Sequence, residues 1–575
     1  MRIRAIGRPL RAAFPRIWRH YAVAAPATQV PSVPQLEHWQ SAELYVNPIC
    51  SQMDQMLLKC EEVESVLALL VTHRGVFFVH NLVTAIQVLG SLPEVSDPIK
   101  LNRMLRDPRY DVLLRDLIRF VPKLDFLAMT NIACSLKQLD HKYYSLFSRM
   151  LQPLIQHPTP EISTVLRCME AYCWAGYHQQ SHFFRRFAHF FSDSMSEMDI
   201  QQVVQGSVLF SSAAEYQEHF FQAAEQRLLD NLSSLSPHHF SLVASAFTAH
   251  LNTQHDELLI RVARLLEMHA MDMDPVDIVR CLRAFHRAVL CFPGAINAGL
   301  QACSVPLYRA WLLRKPSPEL KPVHLAELLE SSAFFGIQSD LVRIALEYLA
   351  DYVDLVSERA AIQVVFAMCM TGTVGDHSRL LRFLFRKIGA GTAWEKQRVR
   401  VFQIWMSQLL QFPWLDCRLK RRCIETGLRA WCLHRRGYGC PHPEEVREIS
   451  ELLDVMRIKH QSFVHVKDTA YELDLVIGDR KAALLVSSET ARNTLTPVGG
   501  TLLQIKHLQD RGWRCLVIPL RAWRRLPPAP SPVRQQYLQA LLDALSTKGV
   551  RRADRAVVSA ELTVLPDRLY LDRTE

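Results

Sequence analysis

The feature that most constrains the fold of this chain is an apolar helical segment that recurs at nearly constant spacing. Between residues 55 and 390, Leu, Ile, Val, Phe and Ala recur at three- and four-residue intervals, which is the period of a buried helix face. Most copies open with Pro, Ser or an acid, carry a small residue about nine positions in, and precede a second amphipathic helix. The copies begin at Leu124, Pro160, Met198, Pro237, Pro275, Pro322 and Ser357.

Most of these starts are 35 to 39 residues apart, and the interval from Pro275 to Pro322 is longer because of an insertion between Pro293 and Pro318. One helix pair cannot bury both of its apolar faces, so neighbouring pairs must stack. The small residues that let the first helices approach closely are Ala133, Gly206, Ala246 and Ala284. The sequence therefore predicts a mostly α-helical solenoid over residues 37–390, and its period alone would suit a protein ligand as well as RNA.

A different pattern occupies the C-terminal part of the chain. Polar and apolar residues alternate over Glu472–Ile477, and a short apolar run follows at residues 482–486. A helical pattern then begins at Gly499 and stops near Gly512, and residues 515–518 have the composition of a buried strand. Strand, strand, helix and strand in this order predict a small α/β domain.

The same part of the chain resembles a known family. The residues that carry the resemblance are, in order, Asp474, Gly500, Thr501, Lys506, Leu508, Gly512, Trp513, Ile518, Pro519 and Trp523. They resemble the RAP domain, found at the C-terminus of organellar RNA-binding proteins that include FAST kinase-like proteins. Together with the repeats, which are similar to octotricopeptide and heptatricopeptide repeats, this resemblance implies an organellar RNA-binding protein.

RAP domains resemble the restriction-endonuclease core, whose metal site uses an Asp and, on the next strand, an acid and a Lys. Asp474 stands at the first position, but Leu485 and Ser487 stand where the acid and the Lys would be. A lone carboxylate holds Mg²⁺ poorly, because this ion needs several oxygen ligands in near-octahedral array. We therefore expect a degenerate domain that binds RNA without catalytic residues, metal or other cofactor.

Residues 379–436 form the most basic stretch of the chain, and Trp394, Trp405, Trp414 and Trp431 are interleaved with its cations. Arginine forks pair with phosphate oxygens, and exposed aromatic rings can stack on unpaired bases. The alternative is that the tryptophans are core residues and the arginines only solvate outer helix faces. The candidate RNA-binding residues are Arg398, Arg400, Arg418, Lys420, Arg421, Arg422, Arg435, Arg436, Lys506 and Arg511.

Other site chemistry finds little support in the sequence. Cys417, Cys423, Cys432, His434, Cys440 and His442 lie close together, but they lack the short Cys-x₂₋₄-Cys spacing of structural zinc sites. Phosphate-binding P-loop, zinc-protease, serine-hydrolase and protein-kinase motifs are absent from the sequence. Acids within helices, such as Glu327 and Glu330, are expected to lie on solvated faces.

The N-terminus has the composition of a mitochondrial transit peptide. It contains Arg2, Arg4, Arg8, Arg11, Arg16 and Arg19, and no acid precedes Glu37. A plastid address and a basic nucleic-acid-binding tail are the alternatives. The formal net charge of +10 favours polyanionic partners. With no apolar run of about 18 residues, the sequence predicts no transmembrane helix.

These observations predict five segments. They are a transit peptide and linker (residues 1–36), the solenoid (37–390), a basic helical connector (391–450), a RAP-like domain (451–530), and a C-terminal helix and tail (531–575). The function expected is RNA binding in the mitochondrial matrix, for the processing, stability or maturation of rRNA or mRNA. A component or assembly factor of the mitochondrial ribosome, an RNA endonuclease and a protein-binding scaffold remain alternatives.

Overall fold

The computed structural model of the chain describes residues 48–158, 161–250, 255–414, 419–438, 442–467, 469, 471–479, 481–528 and 531–546. The predicted transit peptide and linker lie outside the described residues, as does the predicted tail beyond residue 546. The described chain is mostly helical and carries a four-stranded mixed sheet near its C-terminus, which confirms this part of the predicted fold class. It divides into two compact units, Met1–Asp230 and Asn231–Glu575.

The helices of the first unit form two rows. They are α1 (Pro48–Leu58), α2 (Val63–Thr72), α3 (Val79–Ser91), α4 (Pro98–Leu105), α5 (Pro108–Phe120), α6 (Phe126–Gln138), α7 (Tyr144–Gln156), α8 (Ile162–Ala175), α9 (Ser181–Asp193), α10 (Ile200–Ser211) and α11 (Glu218–Asn231), which ends at the unit boundary. Helices α1, α3, α6, α8 and α10 pack on one another in this order, and so do α2, α5, α7 and α9. This is the stacking that the repeat period predicts.

The second unit continues the pattern and adds the sheet. Its first eleven helices are α12 (Pro237–Phe247), α13 (Asp256–His269), α14 (Pro275–Ala288), α15 (Pro293–Leu312), α16 (Pro322–Phe334), α17 (Asp340–Asp351), α18 (Glu358–Thr371), α19 (Ser378–Lys387), α20 (Arg398–Gln411), α21 (Arg421–Tyr438) and α22 (Pro443–Val455). One row contains α12, α14, α16, α18 and α20, and the other contains α13, α15, α17 and α19. Within each unit, the predicted copies supply helices of the row named first, and α1, α3 and α20 belong to these rows without a copy found in the sequence.

Local capping explains why the copies begin where they do. The Ser236 hydroxyl accepts a hydrogen bond from the His239 amide, and Pro237 follows at the first helical position, where no amide donor is needed. Asp274 caps α14 in the same way, accepting from the Val276 amide at 2.7 Å. The opening Pro, Ser or acid of each copy is therefore a helix start signal.

Polar contacts join neighbouring repeats and correct one expectation. Glu330 is only 5% exposed, accepts a hydrogen bond from the Gln363 amide group at 2.5 Å, and forms an ion pair with Arg400. Glu327 accepts a hydrogen bond from Arg283 of the preceding repeat at 2.5 Å. The prediction that these two acids lie on solvated faces was wrong, because both face the neighbouring helix of the same row.

The sheet contains β1 (His460–His465), β2 (Glu472–Ile477), β3 (Ala482–Ser487) and β4 (Arg514–Pro519), in that spatial order. Strands β1, β2 and β3 pair antiparallel, and β4 lies parallel to β3 after a crossover through α23 (Gly499–Asp510). The predicted order of two strands, a helix and a strand is confirmed, and β1 was missed. The last strand was predicted to be buried, but it is half-buried over most of its length because it forms an edge of the sheet.

Helices cover both faces of this sheet. On one face, α22, α24 (Leu520–Arg525) and α25 (Pro532–Ser546) form a core with Leu475, Leu484 and Ile518. On the other face, Leu508 of α23 packs against residues that include Leu485. We call residues 443–546 the α/β domain, since α22 and α25 share its core.

Helix α23 also packs against α16, α18 and α20 of the first row. A buried hydrogen-bond chain holds this contact. The Ser407 hydroxyl of α20 donates to the Gln403 carbonyl at 3.0 Å, so it accepts from His507 Nε2 at 2.8 Å, and the Tyr471 hydroxyl donates to His507 Nδ1, also at 2.8 Å. This pattern requires a neutral imidazole, and burial lowers the pKa of His507 to about 3.

The loop between β3 and α23 makes a second contact with the repeats. The amide of Arg492 donates to the Val289 carbonyl at 2.8 Å, and the Asn493 side chain bonds both backbone groups of Cys291, at 2.8 and 2.6 Å. Arg492 also forms an ion pair with Asp256 at the start of α13. The α/β domain is thus anchored at two places on the helices of its unit. Among the described residues, no helix has the length and apolar character to cross a membrane.

The burial of His507 predicts a dependence of stability on pH. In the unfolded chain this imidazole takes up a proton below its ordinary pKa of 6.5, whereas in the folded protein it stays neutral down to about 3. The free energy of unfolding should therefore fall with decreasing pH in this window, by up to about 1.4 kcal/mol per pH unit from His507.

Replacing His507 by Gln removes this contribution, so urea denaturation of the H507Q variant should show a shallower loss of stability below pH 6.5 than the wild type. Equal slopes for the two proteins would contradict the buried, neutral state of His507.

Candidate nucleic-acid interface

Three consecutive exposed cations lie where α21 begins, beside the backbone that follows α19. Arg386 lies in the last turn of α19, and the Lys420 ammonium donates to the Gly389 carbonyl, two residues beyond that helix, at 2.9 Å. Arg421 and Arg422 form the first turn of α21, and their side chains are 92% and 80% exposed. We call Lys420, Arg421 and Arg422 the basic cluster.

The backbone between α19 and α20 positions this cluster. Gly389 has a φ of +84°, which favours glycine, and a Cβ there would lie 2.7 Å from the sulfur of the buried Cys423. The Glu358 carboxylate, at the start of α18, accepts hydrogen bonds from the amides of Gly389 and Ala393 at 2.7 and 2.9 Å. The start of α21 therefore lies against Gly389, where the Lys420 side chain would come within 3.4 Å of a Cβ.

Helices α20 and α21 also pack closely. A Cβ on Gly427 would lie 3.0 Å from the Arg398 carbonyl oxygen and 3.2 Å from Phe402 Cβ. The Trp431 ring stacks on Phe402 with its centroid 5.4 Å away. This packing holds α21, with its exposed first turn, against α20.

The four tryptophans of the basic stretch have different environments. Trp394 and Trp431 are buried, and Trp405 is half-buried, as expected for core residues. Trp414 is 54% exposed at the end of α20 and could stack on a base. The Arg422 guanidinium lies 5.8 Å from the centroid of the Trp394 ring, so Trp394 supports a cluster residue from below.

Two acids neutralise part of the cluster. Glu425 pairs with Arg421 across one helical turn at 2.6 Å, and Glu395 lies 3.7 Å from Arg422. Both pairs are well exposed to water, where such ion pairs contribute about 0–1 kcal/mol. A phosphate group that offers two oxygens to an arginine fork can compete with these weak partners.

The structure distributes the other predicted cations over several places. Arg398 is exposed in the first turn of α20, with its Nε donating to the Glu395 carbonyl at 2.7 Å. Arg511 is exposed at the end of α23. Arg418 lies outside the described residues, and Arg435 and Arg436 belong to α21 but their side chains are not among those described.

Two predicted cations are engaged inside the protein. Arg400 forms the ion pair with buried Glu330, and its guanidinium lies 5.5 Å from the centroid of the Phe366 ring. Lys506 is half-buried on α23, and its ammonium packs against Gly372 so closely that a Cβ there would collide with it. These contacts make Arg400 and Lys506 part of the packing between helices and leave them out of the basic cluster.

The position that resembles a nuclease site is occupied by structural contacts. The Asp474 carboxylate accepts a hydrogen bond from the Val486 amide at 2.8 Å, beyond the last β2–β3 pair, which joins Leu475 to Leu484. Leu485 is buried in the apolar core under α23. Asp474 therefore completes the hydrogen bonding of β3.

Ser487 and Thr501 take part in a cap of α23. Glu489 accepts hydrogen bonds from the amide and the hydroxyl of Thr501 at 3.0 and 3.2 Å, and the Ser487 and Thr501 hydroxyls lie 2.9 Å apart. The Ser487 hydroxyl also accepts from the Glu489 amide at 3.0 Å. Gly500 lies beside the Glu489 carboxylate, where a Cβ would come within 2.9 Å of it.

The remaining residues that carried the predicted resemblance also make contacts within the fold. Gly512 has a φ of +80° in the turn between α23 and β4, Trp513 packs beside Leu508, and Pro519 ends β4. Trp523 is fully buried, and its indole N–H donates to the Glu448 carboxylate at 3.0 Å. The motif thus describes how the α/β domain folds.

Within the part of the chain that the structure describes, no three His, Cys, Asp or Glu side chains are grouped to hold a metal ion. Of the residues considered for zinc, Cys417 and Cys440 lie outside the described residues, as do the side chains of Cys432 and His434. No protein-family model matches this chain, and no curated protein matches it.

Sequence reasoning missed Gly389 and Glu358, which position the basic cluster, and it missed His507 and Tyr471, which anchor the α/β domain. The sequence does contain a signal for Gly389, because a glycine just after a helical pattern that ends in Arg and Lys is typical of a helix C-terminus. No local sequence pattern indicates the role of Glu358, since its hydrogen-bond partners lie more than thirty residues away along the chain.

The geometry at Gly389 predicts that a Gly389→Ala substitution destabilises the protein by about 1–3 kcal/mol, because it combines a strained φ with a collision at Cys423. Thermal denaturation should show a lower midpoint for G389A. Gly375, just before α19, is the matched control, because its Cβ would meet no heavy atom within 4 Å. A G389A midpoint equal to that of G375A would refute the close approach.

Proposed function

We propose that this protein is a non-catalytic RNA-binding factor of the mitochondrial matrix, in which stacked helical repeats and a RAP-like α/β domain form one RNA-binding unit. It would act in the processing, stability or maturation of mitochondrial rRNA or mRNA. The observation that carries the proposal is the basic cluster, where three consecutive exposed cations begin α21 and only exposed acids pair with them.

The chemistry of the cluster suits a phosphate backbone. Arg421 and Arg422 can each offer a planar fork to two phosphate oxygens, and Lys420 adds a point charge beside them. Contacts of this kind place RNA without selecting its sequence. Trp414, exposed at the end of α20, could add stacking on an unpaired base, which favours a single-stranded segment.

The contacts around Asp474 support binding without cleavage. Its carboxylate accepts the Val486 amide, a buried leucine stands at the position of the second acid, and Ser487 is hydrogen-bonded within the α23 cap. A nuclease would need several of these groups to turn toward one metal ion. We therefore prefer the binding function to the endonuclease alternative.

A stable component of the mitochondrial ribosome would use the same surface as a processing factor. Sedimentation of organellar extracts does separate the two. A ribosomal component should stay with ribosomes at high salt, where the phosphate contacts of a processing factor are screened and released.

The proposal predicts that an Arg421→Ala/Arg422→Ala variant binds single-stranded RNA about tenfold or more weakly than the wild type at moderate salt. The slope of log affinity against log salt concentration should also be smaller in magnitude by about 1.4, since each lost phosphate contact reduces that magnitude by about 0.7. Fluorescence anisotropy with a labelled RNA measures both quantities, and intact RNA should be recovered afterwards even with Mg²⁺ present.

The matched control is an Arg261→Ala/Arg343→Ala variant. Both arginines are exposed on the second row of helices and, like Arg421, each pairs with a glutamate one turn away. This variant should keep the wild-type affinity. Equal losses in the two variants would show that net charge, and not the basic cluster, determines binding.

A further inference from the structure

The single longer repeat interval, from Pro275 to Pro322, builds a surface that the proposed RNA contact does not use. Helix α15 has 20 residues, whereas its neighbours in the second row, α13 and α17, have 14 and 12. At about 1.5 Å per residue, α15 is about 9 Å longer than α13. Insertions into a repeat array often supply an additional binding face.

The last turns of α15 expose apolar side chains. Val305, Tyr308, Leu312 and Leu313 are each 47–62% exposed, and together with Arg309 they line one shallow groove. Val305, Tyr308 and Leu312 follow one another at helical spacings of three and four residues, so they share a face of the helix. We call these four side chains the apolar tip.

Cations flank the apolar tip. Arg309 lies within it, and Arg314 and Lys315 follow directly where the helix ends. All three are exposed, and the nearest acid that follows in sequence is Glu319. A tip of leucine, valine and tyrosine with a rim of arginine and lysine is complementary to a surface that has an anionic outer layer and an apolar layer beneath it.

We propose that the apolar tip docks this protein on the surface of an anionic membrane. Leu312, Leu313 and Val305 would enter the boundary between headgroups and acyl chains, Tyr308 would lie at headgroup level, and the three cations would contact anionic headgroups. The attachment would be peripheral, since no described helix can cross a bilayer.

The size of the tip favours a membrane over a second protein copy. Exposed patches of this kind cover a few hundred Å², whereas a stable protein interface buries about 800 Å² on each partner. A bilayer surrounds a small protruding tip on all sides, so it does not require a broad complementary surface.

Flotation with vesicles tests this proposal on the purified full chain. The probes are vesicles of phosphatidylcholine alone and vesicles of equimolar phosphatidylcholine and phosphatidylglycerol. We expect binding to the anionic vesicles, and an L312S/L313S variant should lose it by about tenfold or more, because two leucine side chains no longer enter the bilayer.

Two control variants separate the apolar tip from other surfaces. L355S changes a leucine with 63% exposure, matched to Leu313 with 62%, and it should bind like the wild type. R421A/R422A tests whether the basic cluster attracts the vesicles, and it too should float with them. Circular dichroism should show that all of these surface variants keep the helical fold.

Three results would overturn the proposal. They are flotation of L312S/L313S equal to that of the wild type, loss of flotation in R421A/R422A alone, and no vesicle binding by any protein. If the wild-type protein fails to bind vesicles and instead forms a dimer in analytical ultracentrifugation, while the L312S/L313S variant stays monomeric, the apolar tip is a contact between two copies of the chain. RNA binding is unaffected by any of these outcomes, so the two proposals fail separately.

Discussion

The packing of α23 against α16, α18 and α20 is the contact on which the second unit depends. His507 fills this contact with a ring that has two polar nitrogens, and a buried imidazole is tolerated only if both nitrogens find partners. Tyr471 supplies one partner from the α/β domain, and Ser407 supplies the other from α20. Since both partners of His507 come from elements on opposite sides of the contact, this chain helps to orient the α/β domain on the repeats.

The residues at the positions of the nuclease-like pattern make contacts that hold the α/β domain together. Asp474, Ser487 and Thr501 bond to backbone and side-chain groups that form β3 and the start of α23. The exposed cations of the basic cluster lie elsewhere, where α21 begins.

The sequence could predict what depends on local pattern. The period of apolar residues located seven of the stacked helices in the two units. The strand-like runs located β2, β3 and β4, because apolar residues bounded by polar ones mark them. It could not locate β1, whose His, Gln and Ser residues resemble a loop. Nor could it show that Arg400 and Lys506 point into packed interfaces while Arg421 and Arg422 point outward, since this depends on contacts between distant helices.

The central claim, that this protein binds organellar RNA, is tested most directly by crosslinking the protein to RNA in organelles and sequencing what is bound. The account predicts one or a few sharp footprints in organellar transcripts, with crosslinked peptides from α19 to α21. Crosslinks scattered no better than those of a basic control protein would contradict it and favour a protein-binding scaffold.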